Sequence, residues 1–214
     1  MMNEDERMLA GKLSNPRDPE LRSRQRLAHR LAKRYNDTFD DEAEKRAELL
    51  KKLLPNSFER IYLQGPIFVD YGTHIKIGDH FYGNTNITFL DTGMITIGEN
   101  VLFGPNISLV TPMHPLRYQD RNFAAKNDLP GKEYSKPITI EDNRWLASNV
   151  TVIGGVTIGN GSVIGAGSDW GWQCGDPRYS GQFLGSRQPL PRAQTDYRSR
   201  RYSTEKGLIL NILS

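Results

Sequence analysis

The chain has 214 residues, 37% hydrophobic and 25% charged, the proportions of a soluble globular protein and not of a disordered or collagen-like one. No apolar run approaches the roughly 20 residues that cross a bilayer, and the acidic opening Met1-Met2-Asn3-Glu4-Asp5-Glu6 holds no secretory h-region, so neither a membrane span nor export is expected. The single cysteine, Cys174, excludes an intramolecular disulfide and a cysteine-rich metal site and points to a reducing, cytoplasmic setting.

The net charge of +3 belongs to the end of the chain: beyond Ser168 there are seven Lys/Arg and four Asp/Glu, which leaves 21 of each sign in the rest. A neutral body gives no electrostatic footprint for nucleic acid.

Residues 1–58 read as helical. Asp18 is a good N-cap, Pro19 suits the first helical position, and Ala28, Leu31 and Tyr35 recur at helical spacing until Asn36-Asp37. A second helix is predicted from Asp40 to Leu54, with Ala43, Ala47, Leu50 and Leu54 on its apolar face and Glu42–Arg46 and Glu48–Lys52 as i,i+4 pairs. Arg22, Arg26, Arg30 and Arg34 form a four-spaced stripe, read as a solvated face paired with the acidic second helix, the competing reading being an acid- or phosphate-binding face. Both helices are short and amphipathic, so they need another surface to pack on.

Residues 59–168 carry a different period. Ile140, Leu146, Val152, Ile158 and Ile164 stand six apart, as do Ile97, Phe103 and Leu109, and Ile77, Gly83 and Phe89. The step from Phe89 to Ile97 is eight, which places two extra residues near Asp91-Thr92-Gly93. A period of six is neither helical nor a simple strand alternation. It suits a solenoid with three flat faces, about eighteen residues per coil, one aliphatic residue per face pointing to the axis, and Gly or Asn at the corners. The fold class read from the residues is a mainly β, parallel β-helix with a small α-helical N-terminal domain. The repeat breaks over residues 111–137, a stretch too long for a corner, which must loop out carrying His114 between Met113 and Pro115. From Asp169 the aliphatic column stops, and residues 169–214 form an atypical tail.

Met8-Leu9-Ala10-Gly11-Lys12-Leu13, Asp70-Tyr71-Gly72, Phe81-Tyr82-Gly83-Asn84-Thr85-Asn86, Leu90-Asp91, His114-Pro115 and the run from Gly155-Val156-Thr157-Ile158-Gly159 to Ser168 together resemble the maltose/galactoside O-acetyltransferases, members of the hexapeptide-repeat acyltransferases. The resemblance implies a left-handed β-helix, a homotrimer with active sites between subunits, and acetyl-CoA as co-substrate with no permanently bound cofactor and no metal. It implies transfer of an acetyl group to a hydroxyl, expected to be the 6-OH, of maltose, glucose or a related sugar. An imidazole is the natural base for an alcohol attacking a thioester, and His114 is the candidate. By the same resemblance Asn84 holds the reacting groups and donates to the oxyanion. Asp70 and Asp91 bind acceptor hydroxyls, Tyr82 bounds the sugar, and Ser148, Ala166 and Trp145 line the path of the pantetheine arm.

Three departures from the family pattern stand out. Glu141 and Ala147 replace glycines, and Arg144 replaces an aliphatic residue of the coil. A buried arginine is costly unless paired, so Arg144 is expected either to turn outward or to pair with Glu141. The tail lacks the family ending, yet codons for Gln173–Ala193 exist whose +1 frame reproduces that ending. The tail is therefore expected to be a frameshift product, with weakened acetyl-CoA binding, an exposed sheet edge and reduced activity. Two other readings compete. One is an inactive trimeric β-helix scaffold. The other is a γ-carbonic-anhydrase-like metal enzyme in which His74 and His80, six apart, stack on one face and join His114 as zinc ligands.

Overall fold

The computed structural model describes residues 2–116, 118–121 and 133–170, with the side chains of Gln119, Asp120 and Trp170 left aside. The tail beyond Trp170, Cys174 and the frameshift expectation lie outside the described residues. Among the described residues no helix is long and apolar enough to cross a membrane.

Three helices open the chain: α1 (Glu4–Leu9), α2 (Pro19–Asn36) and α3 (Ala43–Leu53). Asn3 and Glu6 close a capping box on α1, satisfying two N–H groups that the first turn cannot. Asp18 caps α2 by accepting the Glu20 and Leu21 N–H groups at 3.0 and 3.1 Å, and the helix stops before Asp37, both as the sequence predicts. The third helix starts three residues later than predicted, and its buried face is Arg46, Leu49, Leu50 and Leu53, with Ala43 and Ala47 exposed. Leucines remove far more apolar surface from water than alanines, and Arg46 follows them in because its guanidinium is satisfied. Its Nη2 donates to the Leu63 and Gln64 carbonyls at 2.7 and 2.9 Å and to the Tyr35 hydroxyl at 2.9 Å. Glu42 accordingly pairs with Lys45 instead of Arg46. Arg22, Arg26, Arg30 and Arg34 are all exposed, and only Arg34 acts on the third helix, helping to lower the Glu48 carboxyl behind the larger effect of Lys52.

The helices lie on a parallel β-helix and share its core: Ala28, Ala32, Tyr35, Leu49, Leu50 and Leu53 join one apolar cluster with the coil interior. The first face stacks Ile61–Leu63, Phe81–Gly83, Leu102–Phe103, Trp145–Leu146 and Val163–Ile164. The second stacks Ile67–Val69, Ile87–Leu90, Ser108–Val110, Thr151–Ile153 and Asp169–Trp170. The third stacks Ile75–Ile77, Ile95–Ile97, Ile138–Ile140 and Thr157–Ile158. The pairing Val152↔Trp170 carries the register two residues past the predicted limit at Ser168, and Trp170 is indeed six beyond Ile164.

The six-spaced side chains from Ile77 to Ile164 point inward, Gly83 leaving a gap in its row, but each face contributes two inward rows where the spacing alone predicts one. On the third face Ile75, Ile95 and Ile138 are buried beside Ile77, Ile97 and Ile140. On the second, Ile67, Ile87, Ile107 and Val150 are buried beside Val69, Phe89, Leu109 and Val152. A strand of three residues puts its first and third side chains on the same side, so a short flat face has room for both.

Coil length is not uniform. Ile75 stacks on Ile95, a step of 20, and Thr139 on Thr157, a step of 18. The extra pair of residues falls at one corner, between the second and third faces, and it does so twice, at 70–74 and at 91–94. The long excursion leaves from that same corner. The other two corners are tight and take positive φ: His80, Asn100, Asn143 and Gly161 before the first face, and Asn86, Asn106, Asn149 and Gly167 after it. Asparagine tolerates this conformation and can bond to its neighbours along the stack. Asn86 donates to Asn106 at 2.7 Å and Asn106 to Asn149 at 2.9 Å.

Arg144 is buried, 1% exposed, in the inward row of the first face above Phe81 and Val101. It has not turned outward; the other expectation, a pair with Glu141, is the one realised, at 3.3 Å. Among the described residues its Nε and Nη1 have no hydrogen-bond partner. A guanidinium so placed is desolvated without full compensation. Arg144→Val is therefore expected to raise stability by about 1–3 kcal/mol, read as an increased denaturation midpoint at unchanged m-value.

Candidate active site

The widened corner between the second and third faces is where the chemistry-bearing side chains gather. Gly72 makes the turn possible: its φ is +72°, and a Cβ there would lie 2.1 Å from the Leu53 carbonyl oxygen of α3. Asp91, 0% exposed, ties the two insertions together, because its Oδ1 accepts the N–H groups of Asp70 and Tyr71, both at 2.9 Å. Its Oδ2 is buried too, with no hydrogen-bond partner among the described residues, so the carboxylate is enclosed and braces Asp70 where the family resemblance implies direct contact with the acceptor. Burial pushes the Asp91 carboxyl above its ordinary range, and the Tyr71 N–H and His74 offset only part of that.

Asp70 is also raised by burial, eased by the Gln25 side chain, which donates to Oδ1 at 3.0 Å, and by His29, 4.0 Å away. Both of these residues lie on α2, so the helical segment forms one wall of the corner.

His114 is exposed and follows directly on the strand Pro112–Met113, which pairs antiparallel with Tyr134–Ser135. The root of the excursion is fixed in three places. The Thr111 hydroxyl donates to the Leu90 carbonyl and accepts the Gly93 N–H, both at 2.7 Å. The Ser135 hydroxyl donates to the Met8 carbonyl at 2.6 Å. Ser14 and Glu133 form a β-bridge. An exposed imidazole on so constrained a root keeps its place while remaining open to a ligand.

Glu133 was not visible as a site residue in the sequence, since it sits outside the repeat in a long irregular stretch. Its carboxyl is raised by burial, with His114 lowering it and Asp70 raising it further, which places it within electrostatic reach of both. Tyr71, pushed up by burial and then by the charges of Asp70, Glu133 and Asp91, completes the group.

The remaining predicted residues lie elsewhere on the prism. Asn84 is half-buried at the tight corner between the first and second faces. Its Oδ1 accepts the Thr85 N–H at 2.7 Å, so its amide N–H₂ faces away from that bond. Ser148 and Ala166 stand on the same ridge, one coil apart, with the Ser148 carbonyl accepting the Gly167 N–H at 2.9 Å. Tyr82 and Trp145 point outward from the first face in one column with Tyr62, Leu102 and Val163, each at least 36% exposed. Tyr82 stacks on Tyr62, ring centroids 5.5 Å apart.

The structure thus brings Asp70, Asp91 and His114 to one corner and Asn84, Ser148 and Ala166 to another. A strand face separates them, roughly 15–20 Å at about 3.3 Å per residue.

The three histidines do not meet as ligands. Six residues advance the chain from one corner to the next, so His74 and His80 cannot stack on one face. His74 is 3% exposed at the widened corner, whereas His80 is exposed at a different corner beside Asp79. Among the described residues no three His, Cys, Asp or Glu side chains form a group that could hold a metal ion.

Glu133→Gln follows from the raised carboxyl. An acid whose folded pKa lies above its ordinary value of 4.5 favours the folded state below that value and ceases to do so as pH rises through the folded pKa. The variant is expected to melt higher than the parent at pH 7 and to lose that advantage below about pH 4.5, as read from thermal midpoints across this range.

Comparison with known proteins agrees with this architecture. A family profile described as "Maltose acetyltransferase hexapeptide capping motif" matches residues 7–57, and one described as "Hexapeptide repeat of succinyl-transferase" matches residues 137–168. The galactoside O-acetyltransferase of Escherichia coli (strain K12) is 40% identical over 163 residues, covering 76% of this chain and 77% of that protein. Among solved structures, a maltose O-acetyltransferase from Clostridium difficile 630 superposes with a TM-score of 0.74 at 38% identity, over 78% of this chain and 86% of that one. A galactoside acetyltransferase in complex with coenzyme A gives 0.71 at 39% identity, over 78% and 80% of the two chains.

Proposed function

The chain belongs to the maltose and galactoside O-acetyltransferases, acyltransferases built on a left-handed hexapeptide-repeat β-helix, and from that premise we propose that it moves an acetyl group from acetyl-CoA to a sugar hydroxyl. The acceptor is maltose, glucose or a related sugar, and the reacting group its 6-OH. The observation that carries this reading is the gathering of His114, Asp70, Asp91 and Glu133 at one widened corner.

His114 is the general base. Its imidazole takes the proton of the acceptor hydroxyl as the oxygen attacks the thioester carbonyl, and returns it to the departing CoA thiolate, so the transfer is balanced without any other reactant. The Asn84 amide N–H donates to the tetrahedral oxyanion, a task suited to a donor whose other end is already fixed by Thr85. Asp70, the accessible carboxylate of the corner, orients the sugar, and the enclosed Asp91, which accepts the Asp70 and Tyr71 N–H groups, fixes Asp70 from behind. Tyr82 bounds the acceptor side, and the ridge of Ser148 and Ala166, with Trp145 beside it, offers the pantetheine arm an extended track.

The base and the amide stand on different corners, so one protomer cannot apply both to a single bond. A homotrimer answers this, with the His114 corner of one protomer facing the Asn84 ridge of the next, and the outward column Tyr62, Tyr82, Leu102, Trp145 and Val163 is the kind of apolar patch that a second copy covers.

His114→Ala is expected to lower acetyl transfer by about 10²–10⁴-fold, the usual worth of a positioned base, with the KM for acetyl-CoA little changed. Thiol release from acetyl-CoA against a panel of maltose, glucose and a galactoside measures this. Undiminished transfer by the variant would remove His114 from the chemistry.

A further inference from the structure

His74 takes no part in the reaction as described, yet it is buried, 3% exposed, directly behind Asp91. Its Nδ1 lies 2.7 Å from the Asp91 carbonyl oxygen. A carbonyl only accepts, so Nδ1 carries a hydrogen and donates. In the neutral ring Nε2 is then an acceptor, and it faces an Arg24 guanidinium nitrogen at 3.2 Å.

Arg24 is itself held from three sides. Its Nη1 pairs with Asp5 at 2.8 Å, its Nη2 donates to the Thr73 hydroxyl at 3.1 Å, and its guanidinium lies 5.7 Å from the Tyr71 ring centroid. Asp5 Oδ1 is also 3.3 Å from His74 Nε2. The chain of contacts runs from α1 through α2 into the corner and ends on the peptide of the residue whose carboxylate organises Asp70 and Tyr71.

We propose that His74 is a positioning residue for the acceptor: with Arg24 and Asp5 it forms a relay through which the two N-terminal helices hold the Asp91 main chain, and hence the carboxylate that fixes the Asp70 N–H and with it the side chain that meets the sugar. This rests on the reading of Asp70 as an acceptor ligand. Losing the relay weakens acceptor binding selectively, because its contacts lead to Asp91 and Asp70 and not to the ridge of Ser148 and Ala166.

The test is steady-state kinetics on the full chain, varying acetyl-CoA and, separately, whichever of maltose, glucose or a galactoside it acetylates. His74→Ala is expected to raise the acceptor KM about tenfold, the scale of a lost buried hydrogen bond, and to leave the acetyl-CoA KM unchanged. His74→Asn keeps a side-chain N–H near the position of Nδ1 and is expected to restore the acceptor KM to within about threefold of the parent. Asp5→Asn, at a partly exposed position, weakens the far end of the relay and raises the acceptor KM by about two- to fivefold; it decides the matter should His74→Ala fail to fold. Asp70→Asn separates the two levels. A raised acceptor KM in Asp70→Asn with parental values in His74→Ala, or in Asp5→Asn where that variant is the one read, overturns the relay. A parental acceptor KM in Asp70→Asn overturns the reading of Asp70 beneath it. Parallel rises in both KM values in His74→Ala, unrelieved in His74→Asn, would mark a general structural loss and also overturn the relay.

Discussion

Everything in this molecule depends on a geometric coupling between sequence spacing and the axis of the coil. Six residues advance the chain by one face, and the first and third residues of each short strand fill the interior. The interior is then a stack of Ile, Val, Leu and Phe side chains that are almost wholly removed from water, the dominant source of stability in such a fold. Because each coil pairs its backbone with the coils on either side, an error in register at one corner would displace every inward residue above it. Insertions are tolerated only where they repeat in step or leave the stack altogether. The corner between the second and third faces does both: it carries two residues more than the minimum in successive coils and then releases the long excursion with His114.

That concession gathers the titratable side chains. A tight corner closed by a left-handed Asn has little room for side chains of different elements to converge, whereas the widened corner admits Asp70, Asp91, Glu133 and His114 together with Gln25 and His29 from α2. The cost is electrostatic. Three carboxyls there are held above their ordinary range by burial, which works against folding at neutral pH. Pinning of the excursion by Thr111 and Ser135 and the bracing by the N-terminal helices offset that tension locally.

Much of this was legible in the residues. The six-spaced column gave the coil, the eight-residue step gave one insertion, and Asp18-Pro19 gave the start of α2. The second inward row was hidden because its members are interrupted by Arg144 and Ser162 on the first face and because spacing arguments follow one residue per repeat. The stacking of Asp70 over the same corner as Asp91 was also hidden, since only the coil length of 20, not the nominal 18, brings the two insertions into register. His74 and His80 misled for the same reason: six is the spacing between corners, not within a stack. In α3 the choice of buried face turned on Arg46, whose acceptors lie on a strand that no helical pattern reveals. Glu133 carried no signal, because no period extends into the excursion.

The account stands or falls on the base and the oxyanion donor acting from different protomers. Mixing His114→Ala and Asn84→Ala chains, by co-expression or by reassembly from the unfolded state, tests this without reference to the identity of the sugar. Each variant alone is expected to be nearly inactive. A random mixture of the two should regain about a quarter of the parental rate per site, the fraction of interfaces in a cyclic trimer that unite an intact imidazole with an intact amide. Mixed assemblies as inactive as the separate variants would contradict it.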